Sequence, residues 1–199
     1  LGFRQLVFIK MKKLSNFFLS LVFLFSFNPL AAYSSDPKIF VTELVSDAIE
    51  KLSSTSLSKE EKSLFIEELA LNNVDIKALG LYTLGELRKS LDKQEIENYQ
   101  LAFEKYFLKS LTSRLSDYSS SEFKVIEAEQ KSSNYTIVKS KVFPGDGSPE
   151  IKIDWRIYTN NPEKPLIRDL IVEGLSLART QKEEFSSILS SNNNDIYIL

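Results

Sequence analysis

Apolar residues recur every three to four positions from residue 37 to about residue 118, and every second position from there to residue 172. The first period marks helices and the second strands. Ile39, Phe40, Leu44, Val45, Ala48 and Leu52 share helical spacing behind Pro37, which suits the first helical position after Asp36. Ser53 to Ser56 ends that segment. Ser58 followed by Glu61 is a capping box, predicting a second helix with Leu64, Phe65, Leu69 and Leu71 as its apolar positions. Asp75 to Gly85 reads as a third helical stretch, in which Gly80 and Gly85 permit close packing or a bend. Asp92 and Glu95 predict the start of the longest helix. Its stripe is Ile96, Tyr99, Phe103, Phe107, Leu111 and Leu115, and it ends near Tyr118.

Beyond Ser121 the alternation predicts strands over Phe123 to Ala128 and Tyr135 to Phe143, joined by a turn at Lys131 to Asn134. Pro144 to Ser148 is a turn, and Ile151, Ile153, Trp155 and Ile157 then alternate with Lys152, Asp154, Arg156 and Tyr158. That strand has one dry and one polar face. After Asn160 to Pro162 a fourth strand runs from Leu166 to Val172, Glu173 and Gly174 end it, and a last helix covers about Ser176 to Ser190. Short connections imply an antiparallel sheet, and helices on one face of it make an α+β domain.

The first 34 residues differ from the rest: they hold four basic residues, no acidic ones, and seven of the 14 phenylalanines. Met11, Lys12 and Lys13 precede an apolar run from Phe17 to Phe27, a break at Asn28 and Pro29, and small residues at Ala31, Ala32, Ser34 and Ser35. Such a run covers only about half of a ~30 Å hydrocarbon core. Residues 1–34 therefore read as a cleaved signal peptide whose true start is Met11, cut after Ala32 or Ser34, leaving residues 35–199 as a single domain. No cysteine stands at the exit to carry a lipid anchor, and the expected compartment is the bacterial periplasm. Without the leader, 21 basic and 27 acidic side chains remain, a net charge of −6. An acidic domain has no electrostatic footprint for nucleic acid.

Cysteine and histidine are absent. That removes disulfides, Cys/His metal sites, Ser-His-Asp triads and thiol nucleophiles. Asp169 and Glu173 lie on one face of a strand about 13 Å apart. Paired glycosidase carboxylates stand ~5–9.5 Å apart. Local pairing of Asp169 with Arg168 or Arg156, and turn capping by Glu173, account for them more simply. Gly145 to Gly147 and Glu173-Gly174 lack the strand-to-helix glycine pattern, and the lysine, of a phosphate cradle. What is left is apolar surface, with Phe103, Phe107 and Leu111 on a helix expected to face Ile153, Trp155 and Ile157 on a strand. From the residues alone this is a packed core or a cavity wall.

The stretch Asp169-Leu-Ile-Val-Glu-Gly-Leu-Ser176, with the Arg- and Gln-bearing helix to Phe185, resembles the end of the Mla-type periplasmic phospholipid-binding proteins. These are also known as toluene-tolerance, ABC-transporter auxiliary proteins. Ala78 to Gly80 with Tyr82 looks like that family's Leu-Gly-x-Tyr/Trp helix, and Gln94 to Tyr118 like its long central helix. The resemblance covers about residues 37–199. Lys164 to Ile167 departs from it, standing where the family often has a tryptophan.

The resemblance implies an NTF2-like cone, in which N-terminal helices and a C-terminal helix pack on a curved four-stranded sheet around a lipid cavity. It implies a non-enzymatic carrier that needs no cofactor or metal. Such a carrier shuttles phospholipid, tails buried and head group exposed, between an inner-membrane ABC transporter complex and an outer-membrane lipoprotein complex, as a monomer. At about 0.8 kcal/mol per CH₂, exposing a diacyl lipid to water costs roughly 20 kcal/mol, so a carrier must offer comparable burial. The expected lining is Tyr82, Phe103, Phe107, Leu111, Val142, Ile153, Trp155 and Val172. Three other readings compete: a carrier of hopanoid or another lipid, a transporter adaptor with a solid core, and a cone-fold enzyme using Asp154 or Asp169 as base.

Overall fold

Each of the five α-helices starts at a polar side chain that closes its first turn. In the computed structural model, which describes residues 33–115, 121–144 and 147–199, α1 (Pro37–Ser53) begins with Asp36 Oδ1 accepting from the backbone N–H groups of Lys38 and Ile39, both at 2.9 Å. At α2 (Lys59–Asn73), Ser58 and Glu61 exchange both bonds of the capping box. Asp75 caps α3 (Ile76–Thr83) through the Ala78 N–H. Asp92 and Glu95 cap α4 (Lys93–Leu115) reciprocally, at 2.8 and 2.9 Å. Ser176 caps α5 (Leu177–Ser191) through the Arg179 N–H. These bonds satisfy donors that a helix leaves without partners, so the sequence spacing sets where each helix begins.

The strands β1 (Ser121–Ser132), β2 (Tyr135–Pro144), β3 (Ile151–Tyr158) and β4 (Leu166–Val172) form an antiparallel meander in chain order. A fifth, two-residue strand, β5 (Leu175–Ser176), folds back on β4 and corrects the expected four-stranded sheet. It exists because Glu173 and Gly174 both take positive φ, 48° and 84°, and reverse the chain in a tight turn. Two residues carry no detectable alternation. The sequence marks the turn and not the strand.

α1 lies on β1 and β2, α5 on β4 and α3, and α4 on α2 and α3. The interior is divided accordingly. One cluster holds Phe40, Val41 and Leu44 of α1 against Val138, Trp155, Ile157 and Ile167 of the sheet. The other holds Ile76, Leu84, Tyr99, Phe103, Phe185 and Ile196, drawn from the region of α3, α4, α5 and the C-terminal turn. Among the described residues, Val74 packs against both.

Both expectations for the glycines are met. A Cβ on Gly80 would stand 3.0 Å from Phe103 Cδ1, and Gly85 leaves α3 at φ +57°. Replacing Gly80 with Val should therefore force the Phe103 ring out of its rotamer and cost about 1–3 kcal/mol in urea unfolding. A loss below about 0.5 kcal/mol would show that α3 and α4 can separate freely.

The buried face of α2 differs from the sequence expectation. Ile66, Ala70 and Asn73 point inward, while Leu64 and Leu71 are 65% and 51% exposed. Apolar residues surround this helix, so spacing alone does not choose its inner face. Tyr33–Leu199 is one compact unit. The expected signal peptide up to Ala32, the end of α4 near Tyr118 and the Gly145-Asp146 turn lie outside the described residues.

Candidate functional site

The register of β2, β3 and β4 decides which apolar residues share the helix-facing side of the sheet. Val138 stands opposite Trp155, Ser140 opposite Ile153, Val142 opposite Ile151, and Ile153 opposite Val172. Directly opposed residues point to the same face, so Val142, Ile153, Trp155 and Val172 form one continuous apolar surface.

That surface has two ends. Under α1, Val138, Trp155 and Ile157 are buried, and the indole is satisfied: Trp155 Nε1 donates to Ser140 Oγ at 2.9 Å, and Ser140 Oγ donates to the Ile153 carbonyl at 2.9 Å. Toward Val142, Ile151, Ile153 and Val172 the side chains are only half-buried.

On the helical side, α4 shows the same gradient. Tyr99 and Phe103 are its only buried residues, and its far half presents half-buried Phe107, Leu108 and Leu111. Phe103 stacks on Tyr99 and Phe107 and meets Phe185 edge-on, at centroid distances of 5.9, 6.2 and 6.3 Å. The helix stripe and the strand stripe, expected to face each other, fall in different clusters. Phe103 and Phe107 belong to one cluster, and Trp155, Ile157 and Ile153 to the other. Tyr82 stands apart from both, 39% exposed, with Lys182 Nζ 5.2 Å from its ring centroid.

A well-packed interior leaves few gaps. Here Leu111, Val142, Ile151 and Val172 are half-buried and packed against neither cluster.

The polar residues weighed as chemistry hold the frame. Asp169 is 3% exposed; its Oδ2 accepts from Ser176 Oγ at 2.6 Å, its Oδ1 accepts from the Ala178 N–H at 3.0 Å, and Arg156 Nη1 lies 3.5 Å away. The expected partner Arg156 is therefore present, but the main role of this carboxylate is to fix the start of α5 on β4. The Glu173 carboxylate accepts from the Lys152 N–H, as a turn cap.

Sequence reasoning missed the neighbour of Asp169. Arg168 Nη2 pairs with Asp75 Oδ2 at 2.7 Å, Nη1 donates to Tyr135 Oη at 3.1 Å, and the guanidinium sits 3.4 Å from the Tyr158 ring centroid. A bulge between Arg156 and Ile157 turns Arg168 and Asp169 to these tasks, so consecutive residues clasp the starts of α3 and α5. Nothing local in the sequence signals a bulge.

Buried phenols are equally occupied. Burial pushes the Tyr99 hydroxyl up to about 12, and it shares a hydrogen with Thr83 Oγ1 at 2.7 Å. Burial and the hydrogen bond to Asp47 raise Tyr33 further.

Asp154 lies on the opposite, solvent-side face of the sheet, in an open groove of about 670 Å³ with Glu129, Lys131, Lys139 and Arg156. Lys131 and Lys139 pair there with Glu129, and Lys139 also with Glu127 at 2.7 Å. Ion pairs in water make that groove unfit for acyl chains. Among the described residues, no helix is long and apolar enough to cross a membrane, and no group of acidic residues is placed to hold a metal ion.

The fold matches that of a phospholipid-binding protein from Ralstonia solanacearum, solved in complex with a phospholipid, with a TM-score of 0.66 and 15% sequence identity over 78% of this chain and 88% of that one. At that identity the likeness establishes the α+β fold. The family model described as MlaC protein matches residues 42–198, most of the chain and nearly all of its compact unit. The chain therefore belongs to the MlaC protein family.

Proposed function

We propose that the protein is a non-enzymatic carrier that holds the acyl chains of a phospholipid against the half-buried apolar surface and leaves the head group in water. The observation that carries this reading is the division of the interior into two clusters, with half-buried Leu111, Val142 and Val172 packed against neither and half-buried Phe107 and Ile153 at their edges. Membership of the MlaC family, and a structural relative that was solved with a phospholipid, support the same cargo. Phe103 and Trp155 would back the wall from the two dry clusters, and Tyr82 would stand at its rim.

On this reading the lipid passes through the periplasm between an inner-membrane transporter complex and an outer-membrane lipoprotein complex. Transfer between such sites breaks no covalent bond. The packing of Tyr33 edge-on to Phe40, and its hydrogen bond to Asp47, favour signal cleavage after Ala32 over cleavage after Ser34.

The test is native mass spectrometry of the purified exported protein, followed by solvent extraction and lipid identification. A stoichiometric phospholipid adduct is expected. Phe107→Asp and Leu111→Asp should each reduce the lipid-bound fraction by about tenfold, because the burial of roughly one apolar side chain is lost. A hopanoid or another lipid would keep the carrier and change its cargo. A bare, stable mass would replace the carrier with an adaptor.

A further inference from the structure

The acidity of the domain is concentrated in residues 36–75, which carry α1, α2 and the acidic caps Asp36 and Asp75. Residues 36–75 hold nine acidic and four basic side chains, a net −5, whereas residues 76–199 hold 18 and 17, a net −1. On α2 the charges are also sorted by face. At 3.6 residues per turn, Leu64 and Leu71 fall on one line along the helix, and Glu60, Glu61, Glu67 and Glu68 lie within about 60° of it on either side. Lys59 and Lys62 lie on the other side, with the buried Ile66, Ala70 and Asn73.

Glu61 is engaged in the capping box, while Glu60, Glu67 and Glu68 form no ion pair among the described residues. A face evolved only for solvation mixes both signs and holds few leucines. This one has two aligned leucines bordered by glutamates alone.

We propose that this face of α2 docks a protein partner that presents an apolar groove rimmed by lysine and arginine. The leucines supply anchors two turns apart, as in helix-in-groove recognition. The glutamate borders steer the encounter and select a basic rim. The same acidic border repels an anionic bilayer, which argues for a protein surface over a lipid one. The proposal does not depend on the cargo, since the docking face and the half-buried apolar surface use different residues.

The experiment uses the full exported protein labelled at Ser187→Cys, an exposed position in a chain without cysteine. Binding is measured to vesicles made from the inner and outer membranes of the cells that produce it, and to protein-free vesicles of the extracted lipids. Saturable, salt-sensitive binding to one set of protein-bearing vesicles is expected. It should weaken about tenfold or more in L64E/L71E and in E60K/E67K/E68K, with lipid content and thermal melting unchanged. The proposal is overturned by equal binding of the variants, by no binding to the protein-bearing vesicles, or by equal binding to the lipid-only vesicles. Leucine-dependent self-association in ultracentrifugation would also overturn it, by making the occupant a second copy.

Discussion

Phe40→Ala is expected to lower the unfolding free energy by about 3–5 kcal/mol, the range for deleting a fully buried aromatic side chain. Phe40 is 1% exposed and joins α1 to Val138, Trp155, Ile157 and Ile167 of the sheet. Its ring also meets Tyr33 edge-on at 6.1 Å. Removing it leaves a void between two stiff layers, and neither a helix nor a sheet can collapse to fill it. The neighbouring Ile39 is 49% exposed, so Ile39→Ala should change stability by no more than about 0.5 kcal/mol. Urea titration followed by the fluorescence of Trp155, the single tryptophan, reads both. An unchanged denaturant slope would assign the loss to the native state. A cost below about 1 kcal/mol for Phe40→Ala would mean that α1 is not part of the cooperative unit.

Asp169→Ala is expected to cost about 2–4 kcal/mol. The carboxylate accepts from Ser176 Oγ and the Ala178 N–H, both charge-assisted bonds at a helix start. The Arg156 contact adds little, because that side chain is 41% exposed and water can replace its partner. Asp169→Asn keeps the shape and one acceptor, so a smaller loss of about 1–2 kcal/mol is expected. Hydrogen exchange at Ala178 and Arg179 should accelerate in both variants before the sheet amides respond. If Asp169→Ala unfolds at the wild-type urea midpoint, Phe185 and Leu189 alone hold α5.

Much of this molecule is written in short-range spacing. Ser58 with Glu61, Asp92 with Glu95, and Asp36 before Pro37 start their helices where the sequence places them, because each cap bridges only two or three residues. The fourth strand, Leu166–Val172, likewise stands where the sequence places it, between the turn at Asn160 to Pro162 and Glu173-Gly174. Where periodicity is ambiguous the reading fails. Apolar residues on both sides of α2 led to Leu64 and Leu71 as inward positions, and the structure turns them out.

The candidate site was legible as a set of apolar residues and not as an arrangement. Val142, Ile153, Trp155 and Val172 share a face because two-residue periodicity and short turns fix it. By itself the sequence determined the export-type leader pattern, the helix starts, the strand faces and the absence of thiol and imidazole chemistry. Only the tertiary structure decided that the helix and strand stripes join different clusters, that a bulge at β4 hands Arg168 and Asp169 to two helices, and that a fifth strand extends the edge of the sheet. Periodicity says which side chains lie together on an element. What that face meets depends on contacts between distant segments, such as Arg168 with Asp75, 93 residues apart, and no local pattern encodes those.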